Sequence, residues 1–464
     1  MGKEIMVIDK GGRGNAIAYA FARSPQVSKV YVTPGNAGSS TLEKCHQLPL
    51  LVESVEEEIN AMRKYALEHN IDLAFVGPEG YLSAGIVDVF LDAGLDIVGP
   101  FQMATALESS KCDTKDFLKK IGVPIPEHEN FDNPDEAKEY VKDFYSENPN
   151  ENLVVKADGL AAGKGSIPCD SEVDTLSAVD ELMILKKFGD AGNRVDIEKR
   201  LYGEELMFFV FTDGKTVKPL EAAQDYKRAF DDNDKINPRS FGGKNPNTGG
   251  MGGYSPHPWL DEELTEKIMK RIALPTITRF HEYESTTFGK LNDVKYKGII
   301  YFGLMICKEG DQKNPYVLEI NVRMGDPEAQ VILPRLKTDF YDLSRAIVGG
   351  KLDEITFEWD PTHYLCACAV SGRIGRYEGY PGKHHTNQEI LGLDKVDENC
   401  LVFHNGTAFD EAGQIYTTGG RVLTIVGQGN SLEEARKHTY DNLKKIRFRG
   451  MRYRRNIGKI VDGG

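Results

Sequence analysis

Side chains that can do chemistry concentrate in residues 317–330, Val-Leu-Glu-Ile-Asn-Val-Arg-Met-Gly-Asp-Pro-Glu-Ala-Gln. Val317, Leu318, Ile320 and Val322 make an apolar, strand-prone run, and the two-residue period of a strand puts Glu319 and Asn321 on one face. A carboxylate and an amide oxygen side by side suit a hard cation. Magnesium takes about six oxygen ligands and draws several of them from water and substrate phosphates, so two protein donors fit a metal–nucleotide site better than a closed cage. The plainer alternative is a half-exposed polar strand face. Arg323 follows as a planar donor for phosphate or carboxylate, and Gly325-Asp326-Pro327-Glu328 ends the strand in a turn with two more acids.

Residues 153–165, Leu-Val-Val-Lys-Ala-Asp-Gly-Leu-Ala-Ala-Gly-Lys-Gly, read as a strand ending at Lys156 and a loop of three glycines carrying Lys164. Two ammonium groups and several backbone amides can close over a polyphosphate. The spacing is not that of the loop Gly-x-x-x-x-Gly-Lys-Ser/Thr, because Gly159 to Gly163 is short and Gly165 stands at the hydroxyl position. A solvated glycine loop is the alternative. In residues 195–205 a strand, a crossing segment and the acidic pair Glu204-Glu205 can read an adenine edge and a ribose. Gln224-Asp225-Tyr226-Lys227-Arg228 alternates charge, and residues 246–253 hold four glycines, a density that costs backbone entropy and marks close approach to a ligand.

These groups need elements to place them. Residues 4–8 form a short strand, residues 11–14 a tight glycine turn and residues 15–22 an alanine-rich helix, a unit that presents amides to a phosphate. A nicotinamide fold is disfavoured: Ile17 takes the place of the third glycine in Gly-x-Gly-x-x-Gly, and the strand at 30–33 runs into Pro34-Gly35-Asn36-Ala37-Gly38 where a ribose-binding acid belongs. The two glycine loops can instead hold one sugar phosphate, or serve tight turns alone. Helices near 55–69 and 85–91 with strands at 73–76 and 97–98 complete a parallel α/β layer. Gly99-Pro100 and Ser109-Ser110-Lys111 put a boundary near residue 106, and residues 121–126 form a hinge. Beyond Asp339, strands at 364–370 and 420–425 and a helix at 431–446 make a mixed unit.

A chain of 464 residues implies two to four domains. Lys plus Arg is 57 against 71 for Asp plus Glu, a net charge of −14, which argues against nucleic acid or an anionic membrane and for small molecules. The basic tail Arg447, Arg449, Arg452, Arg454 and Arg455 has no aromatic platform beside it to support nucleic-acid binding. Seven cysteines without Cys-x-x-Cys exclude a recognisable zinc motif and disfavour a disulfide framework. The apolar run 298–307 is about half of a membrane span and reads as a buried strand. His384-His385 lacks nearby acids and reads as surface. A reducing cytoplasm without export or anchor signal is the expectation.

Taken in order, Gly11-Gly12-Arg13, Thr33-Pro34-Gly35-Asn36-Ala37-Gly38, Val76-Gly77-Pro78-Glu79, residues 155–165, Gln224-Asp225, residues 246–252 and residues 323–330 resemble the phosphoribosylamine–glycine ligase family, ATP-grasp enzymes of purine synthesis. The resemblance extends over nearly the whole chain. It implies an α/β protein with an amino-terminal parallel α/β (pre-ATP-grasp) domain at 1–106 for the ribosylamine phosphate, an ATP-grasp module at 107–337 with a lid at about 124–197, and a mixed α+β carboxyl-terminal domain at 338–464. By the same match, ATP is held by Lys111, Lys156, Gly163, Lys164, Gly165, Glu198 and Leu201, with Glu204 or Glu205 on its ribose. Glu319 and Asn321 align with ligands of magnesium or manganese. Gly12, Arg13, Gly35, Asn36, Gly38, Glu79, Asp225, Asn247, Thr248, Gly249, Gly250, Arg323 and Asp326 contact glycine or 5-phosphoribosylamine, and Arg323 and Lys156 are catalytic. The implied reaction passes through glycyl phosphate. The implied partners are small molecules, with neither nucleic acid nor membrane, and the state a monomer or weak homo-oligomer.

Several positions depart from the family. Its Gly-Gly-Arg-Glu-His-Ala is here Gly-Gly-Arg-Gly-Asn-Ala, with Gly14 and Asn15 in place of an acid and an imidazole; Met324 replaces phenylalanine; and residues 229–245 lengthen the approach to the glycine-rich loop. The family's Ala-Gly-Gly-Tyr-Pro-Gly reads as Gly372-Arg373-Ile374-Gly375, with Gly379-Tyr380-Pro381-Gly382 displaced, while residues 453–458 keep most of a terminal signature. A paralogous ATP-grasp ligase with a different amine or acid is the alternative. A non-catalytic nucleotide-binding regulator is disfavoured because both metal-binding side chains are present.

Overall fold

Ile5, Met6, Val7 and Ile8 are an unbroken apolar run suited to a strand covered on both faces, and all four are fully buried in β1 (Lys3–Asp9). The structure is a computed structural model, and the described residues are 2–50, 52–159, 165–231, 245–286, 289–290 and 295–459. β2 (Val27–Pro34), β3 (Cys45–Gln47), β4 (Leu73–Val76) and β5 (Ile97–Val98) join β1 in a parallel sheet ordered β3-β2-β1-β4-β5. Strand order reverses at β1, which opens a crevice at the carboxyl ends of β1 and β4, where open α/β sheets hold ligands. The glycine segment there differs from the expected tight turn: Gly12, Arg13 and Gly14 already belong to the helix Gly12–Ala22. Asp9 makes the short entry, its Oδ1 accepting from the Gly11 N–H at 2.7 Å and its Oδ2 from Arg13 Nε at 2.7 Å.

Ser110 caps the helix Lys111–Lys120 by accepting from the Asp113 N–H, which sets Lys111 in the first turn and Lys115 one turn later on the same side. β6 (His128–Phe131), β7 (Leu153–Ala157), β8 (Ser166–Pro168) and β9 (Val195–Lys199) form an antiparallel sheet ordered β6-β9-β7-β8. Val155 and Ile197 of this sheet pack with Val141 of the helix Pro134–Glu147 and with Val179 and Leu182 of the helical segment after β8, forming a core of their own.

β10 (Glu204–Thr212) and β11 (Val217–Pro219) lead to β12 (Gln224–Asp225) and β13 (Gly252–Ser255). A short ladder of β14 (Glu284–Ser285) and β15 (Gly289–Lys290) precedes the hairpin β16 (Gly298–Glu309) and β17 (Gln312–Asn321). The hairpin completes a sheet ordered β11-β10-β16-β17, and the run at 298–307 is its central strand. β18 (His363–Ser371), β19 (Cys400–His404), the ladder β20 (Thr407–Phe409) and β21 (Ile415–Thr417), β22 (Arg421–Gly429) and β23 (Met451–Arg452) follow. The last large sheet is ordered β12-β13-β18-β22-β19, with β23 on β18, so two strands from the middle of the chain extend the carboxyl-terminal sheet. The expected helix at 431–446 is Leu432–Leu443, capped by Ser431. Part of the basic tail turns inward: Arg452 packs over the Phe230 ring and donates to Ala229 O, and Arg454 packs over Tyr226 and donates to Arg228 O at 2.9 Å, while Arg447, Arg449 and Arg455 are exposed. Among the described residues no helix is long and apolar enough to cross a membrane.

Candidate active site

One cavity of about 530 Å³ lies where the crevice of the first sheet, β7 and β9, and the end of β17 converge. The pleat places Glu319 and Asn321 on its wall as expected. β17 carries an irregularity beside them: Gly303 faces Glu319 and Leu304 faces Val317, leaving Leu318 as an extra residue. The bulge turns two successive carbonyls toward lysines, with Lys115 donating to Val317 O at 2.9 Å and Lys156 to Leu318 O at 2.8 Å. Opposite Glu319, the lack of a side chain at Gly303 is required, since a Cβ there would lie 2.8 Å from Glu319 Cγ.

Lys156 on β7 and Glu198 on β9 are diagonal neighbours across the ladder, and the carboxylate takes Lys156 at 2.6 Å and Lys115 at 2.8 Å. Burial pushes the Glu198 carboxyl up, but Lys115 and Lys156 outweigh it and hold the group well below the usual range. Asp196, two residues back on the same face, is pushed well up by burial and by the charge of Glu198, and accepts from or donates to His128 Nδ1 at 3.0 Å. Lys111 donates to Gly159 O at 2.8 Å; burial lowers its pKa against the pull of Glu319 and Asp158. Lys227 donates to Glu319 Oε1 at 2.9 Å and lies 3.9 Å from Glu205. Burial would raise the Glu319 carboxyl, yet Lys227, then Lys156 and Lys111, hold it at about 2.

Arg323 leaves the end of β17 toward the first sheet. Its Nε donates to Glu79 at 2.9 Å and its Nη2 to Glu108 at 2.7 Å, and the other oxygen of Glu108 accepts from the Val322 N–H at 2.9 Å. Against burial, Arg323 and Arg13 hold Glu79 at about 2, whereas burial dominates at Glu108 and raises it. Asp326 in the following turn accepts from Arg421 of β22 at 3.0 Å and from Gln330 at 2.7 Å, and Arg421 also donates to Gly249 O at 2.9 Å. The carboxyl-terminal sheet thereby reaches the cavity.

Of the residues expected from sequence, Arg13, Glu79, Lys111, Lys156, Gly165, Glu198, Leu201, Glu205, Asp225, Asn247, Thr248, Gly249, Glu319, Asn321, Arg323 and Asp326 line this cavity. Glu204, on the other face of β10 from Glu205, is exposed. Gly163 and Lys164, like most of the 229–245 insertion, lie outside the described residues. Gly12, Gly35, Asn36, Gly38 and Gly250 are not on the cavity wall. The first of these gather around the end of β19: the Gly12 N–H donates to Asn405 Oδ1 at 3.0 Å, and Asn36 Nδ2 donates to His404 O at 2.8 Å and to Asn405 O at 3.1 Å.

The departures at 14 and 15 have local causes. A Cβ at Gly14 would lie 2.5 Å from Asp9 Cβ, so the aspartate that holds Arg13 leaves no room for a side chain there. Asn15 donates to Asn36 Oδ1 at 3.2 Å and accepts from the His404 N–H at 3.0 Å, joining the first sheet to the last. Sequence reasoning gave no role to Lys115, Glu108 or Arg421 and named Lys227 and Glu328 only as parts of charged segments; all five line the cavity. Lys111 and Lys115 at helical spacing, and Asp225 and Lys227 two apart, were the available signals; Arg421 had none.

The phosphoribosylglycinamide synthetase N domain matches residues 3–108, its ATP-grasp (A) domain residues 109–329 and its C domain residues 375–460. The phosphoribosylamine–glycine ligase of Archaeoglobus fulgidus is 47% identical, with 99% of each chain covered, and that of Neisseria meningitidis serogroup B is 40% identical over 98% of each. The crystal structure of the Thermotoga maritima phosphoribosylamine–glycine ligase superposes with a TM-score of 0.76 at 28% identity, covering 98% of this chain and 100% of that one. A biotin carboxylase from Campylobacter jejuni, 14% identical with a TM-score of 0.69 over 97% of this chain and 93% of that one, shares the fold. With three domain matches in order and full-length relatives at this identity, the chain belongs to the phosphoribosylamine–glycine ligase family.

Proposed function

We propose that this chain joins glycine to 5-phosphoribosylamine, forming glycinamide ribonucleotide, ADP and phosphate in purine synthesis. The observation that carries the reading is a single cavity uniting lysines for a polyphosphate, oxygen donors for a cation, and a guanidinium with a glycine-rich loop for a carboxylate and an amine. We divide the chain into a ribosylamine domain at 1–106, an ATP-grasp module at 107–337 with its lid at about 124–197, and a closing domain at 338–464. Lys111, Lys156 and Gly165, with Gly163 and Lys164, take the ATP phosphates; Glu198 and Leu201 border the adenine, and Glu205 rather than Glu204 takes the ribose. Glu79, Asp326 and residues 247–250 flank the amino acid. Gly12, Arg13, Gly35, Asn36 and Gly38 form the corner for the ribosylamine phosphate.

Glu319 and Asn321 fit a hard divalent cation. Both offer oxygen from one strand face, and the buried Asn321 Nδ2 makes no hydrogen bond among the described residues, so only a 3.4 Å approach of Arg323 to Oδ1 engages that amide. Bound there, magnesium or manganese would neutralise charge on the transferring phosphoryl oxygens.

A carboxylate does not react with an amine at neutral pH because its leaving group would be oxide. Transfer of the γ-phosphoryl group to the glycine carboxylate replaces oxide with phosphate; ADP leaves, and the ribosylamine nitrogen then attacks the acyl carbon. No protein nucleophile is needed. Lys111, Lys156 and Arg323 align the oxygens and offset their charge, while Glu79 and Glu108 fix the plane of Arg323. Closure of the β6-β9-β7-β8 sheet keeps water from the acyl phosphate. The seven cysteines, none in a Cys-x-x-Cys motif, support a reducing cytoplasm, and the −14 charge supports small-molecule partners rather than nucleic acid or membrane; a monomer or weak homo-oligomer completes the proposal.

Glycine labelled with heavy oxygen in both carboxylate positions tests the route. Expected are one labelled oxygen in phosphate per turnover, unlabelled ADP and no AMP. Label in AMP would establish adenylation instead, and ADP formation indifferent to glycine would favour the paralogous ligase.

A further inference from the structure

The two oxygens of Glu319 face different surroundings. Oε1 accepts from Lys227 Nζ at 2.9 Å and from the Tyr301 hydroxyl at 3.4 Å, whereas Oε2 takes no hydrogen bond among the described residues. Gly303 shows how the side chain lies. A Cβ there would stand 2.8 Å from Glu319 Cγ and 3.3 Å from Oε1, so the carboxylate crosses over β16 with Oε1 turned toward that strand. Oε2 is left to the cavity, which Glu319 lines with 33% of its side chain still accessible. Tyr301 is the one polar side chain in the apolar run 298–306 of β16. It pairs with Asn321 across the ladder, its ring packs on Phe209 with centroids 4.8 Å apart, and 5% of its surface is exposed. A hydroxyl carried into so apolar a strand loses its hydration, and Glu319 is the acceptor that offsets the loss.

We propose that Lys227 and Tyr301 are positioning residues that withhold one oxygen of Glu319 from the cation and so make the site select a small six-coordinate ion over calcium. The inference rests on the reading of Glu319 and Asn321 as the cation's donors and deepens it. With Oε1 held, the chain offers two oxygens, Glu319 Oε2 and Asn321 Oδ1, and among the described residues no group of three or more acids, histidines or cysteines is placed to hold a metal ion. Two are enough for magnesium or manganese, whose octahedral shells phosphate and water complete. Calcium takes about six to eight oxygens at longer distances, often both from one carboxylate. The second oxygen is the one that the Lys227 ammonium occupies, so a dication held by both would stand beside a fixed positive charge. Tyr301 approaches the same oxygen from β16 and opposes rotation of the carboxylate that would turn both oxygens to the cavity.

Displacement of Mn2+ from the complex of the protein with ADP, read from the electron paramagnetic resonance signal of free Mn2+, tests the selection without turnover. In the unaltered protein Mg2+ should displace Mn2+ at a concentration at least about tenfold lower than Ca2+ does. Lys227→Met should narrow that ratio by about tenfold and Tyr301→Phe, which keeps the ring, by about threefold, the first losing a charged hydrogen bond and the second a longer, weaker one. Lys227→Arg should keep the ratio. A merely structural role would shift both cations together and leave the ratio where it was. An unchanged ratio in folded Lys227→Met, where Glu319→Gln has lost Mn2+, would overturn the inference while leaving Glu319 as a donor, and an effect of Lys227→Met without one of Tyr301→Phe would overturn the part given to Tyr301. Should neither variant fold, Ca2+ displacing Mn2+ from the unaltered complex as readily as Mg2+ does would overturn the selection, and poor displacement would support it. Undiminished Mn2+ binding by Glu319→Gln would overturn the donor reading and this inference with it.

Discussion

At the scale of single residues the cavity is a set of mutually restrained charges. Glu319 is ionised throughout the neutral range because three lysines hold its carboxyl at about 2. Glu319→Gln keeps the shape but removes the anion, and should lower turnover by at least ~100-fold in a protein that still folds, with a lower melting temperature from the lost ion pair to Lys227. Glu79 shows the same physics as a stability effect. Its carboxyl, ordinarily near 4.5, is held at about 2 by Arg323 and Arg13 against its burial. Its folded-state pKa is depressed, so the stabilisation is complete above pH 4.5 and is lost as pH falls toward about 2. Denaturant titrations of the parent and Glu79→Gln should therefore differ most above pH 4.5 and converge toward pH 2.

At the scale of elements, the bulge at Leu318 and the glycine opposite Glu319 do the positioning. Gly303→Ala should leave the sheet assembled yet displace Glu319, raising the metal concentration needed for half-maximal activity by about tenfold, with overpacking costing about 1–3 kcal/mol in a melting experiment. The alternation that carries Glu319 and Asn321 is a local property of one strand, and it was legible in the sequence. So were the parallel strands around Ile5–Ile8 and the apolar run of β16, whose residues are buried wherever they sit. Lys115 and Glu108 were harder to see, because their roles depend on carbonyls and a guanidinium more than 200 residues away in the chain. Arg421 belongs to a strand with no chemical signature, and only sheet pairing across the molecule brings it to Asp326. The glycine segment at 11–14 reads as a turn from its glycines alone, whereas the short helix entry depends on the Asp9 carboxylate, which lies outside that pattern.

At the scale of the molecule, β12 and β13 have a consequence for cutting the chain. They arise before residue 338 but continue the sheet of β18, β22 and β19, with Gly252–Ser255 pairing antiparallel to residues 364–367. Expressed alone, residues 338–464 would present the edge of β18 bare, with Leu365, Ala367 and Ala369 beside it, a template for self-association. That fragment is expected to aggregate or multimerise in size-exclusion chromatography, and co-expression with residues 1–337 should return it to a single complex. Arg421 would then regain Asp326, so recovery of activity would report edge capture directly. In this protein, therefore, the line where one compact unit gives way to the next is a usable cut only when both pieces are made together.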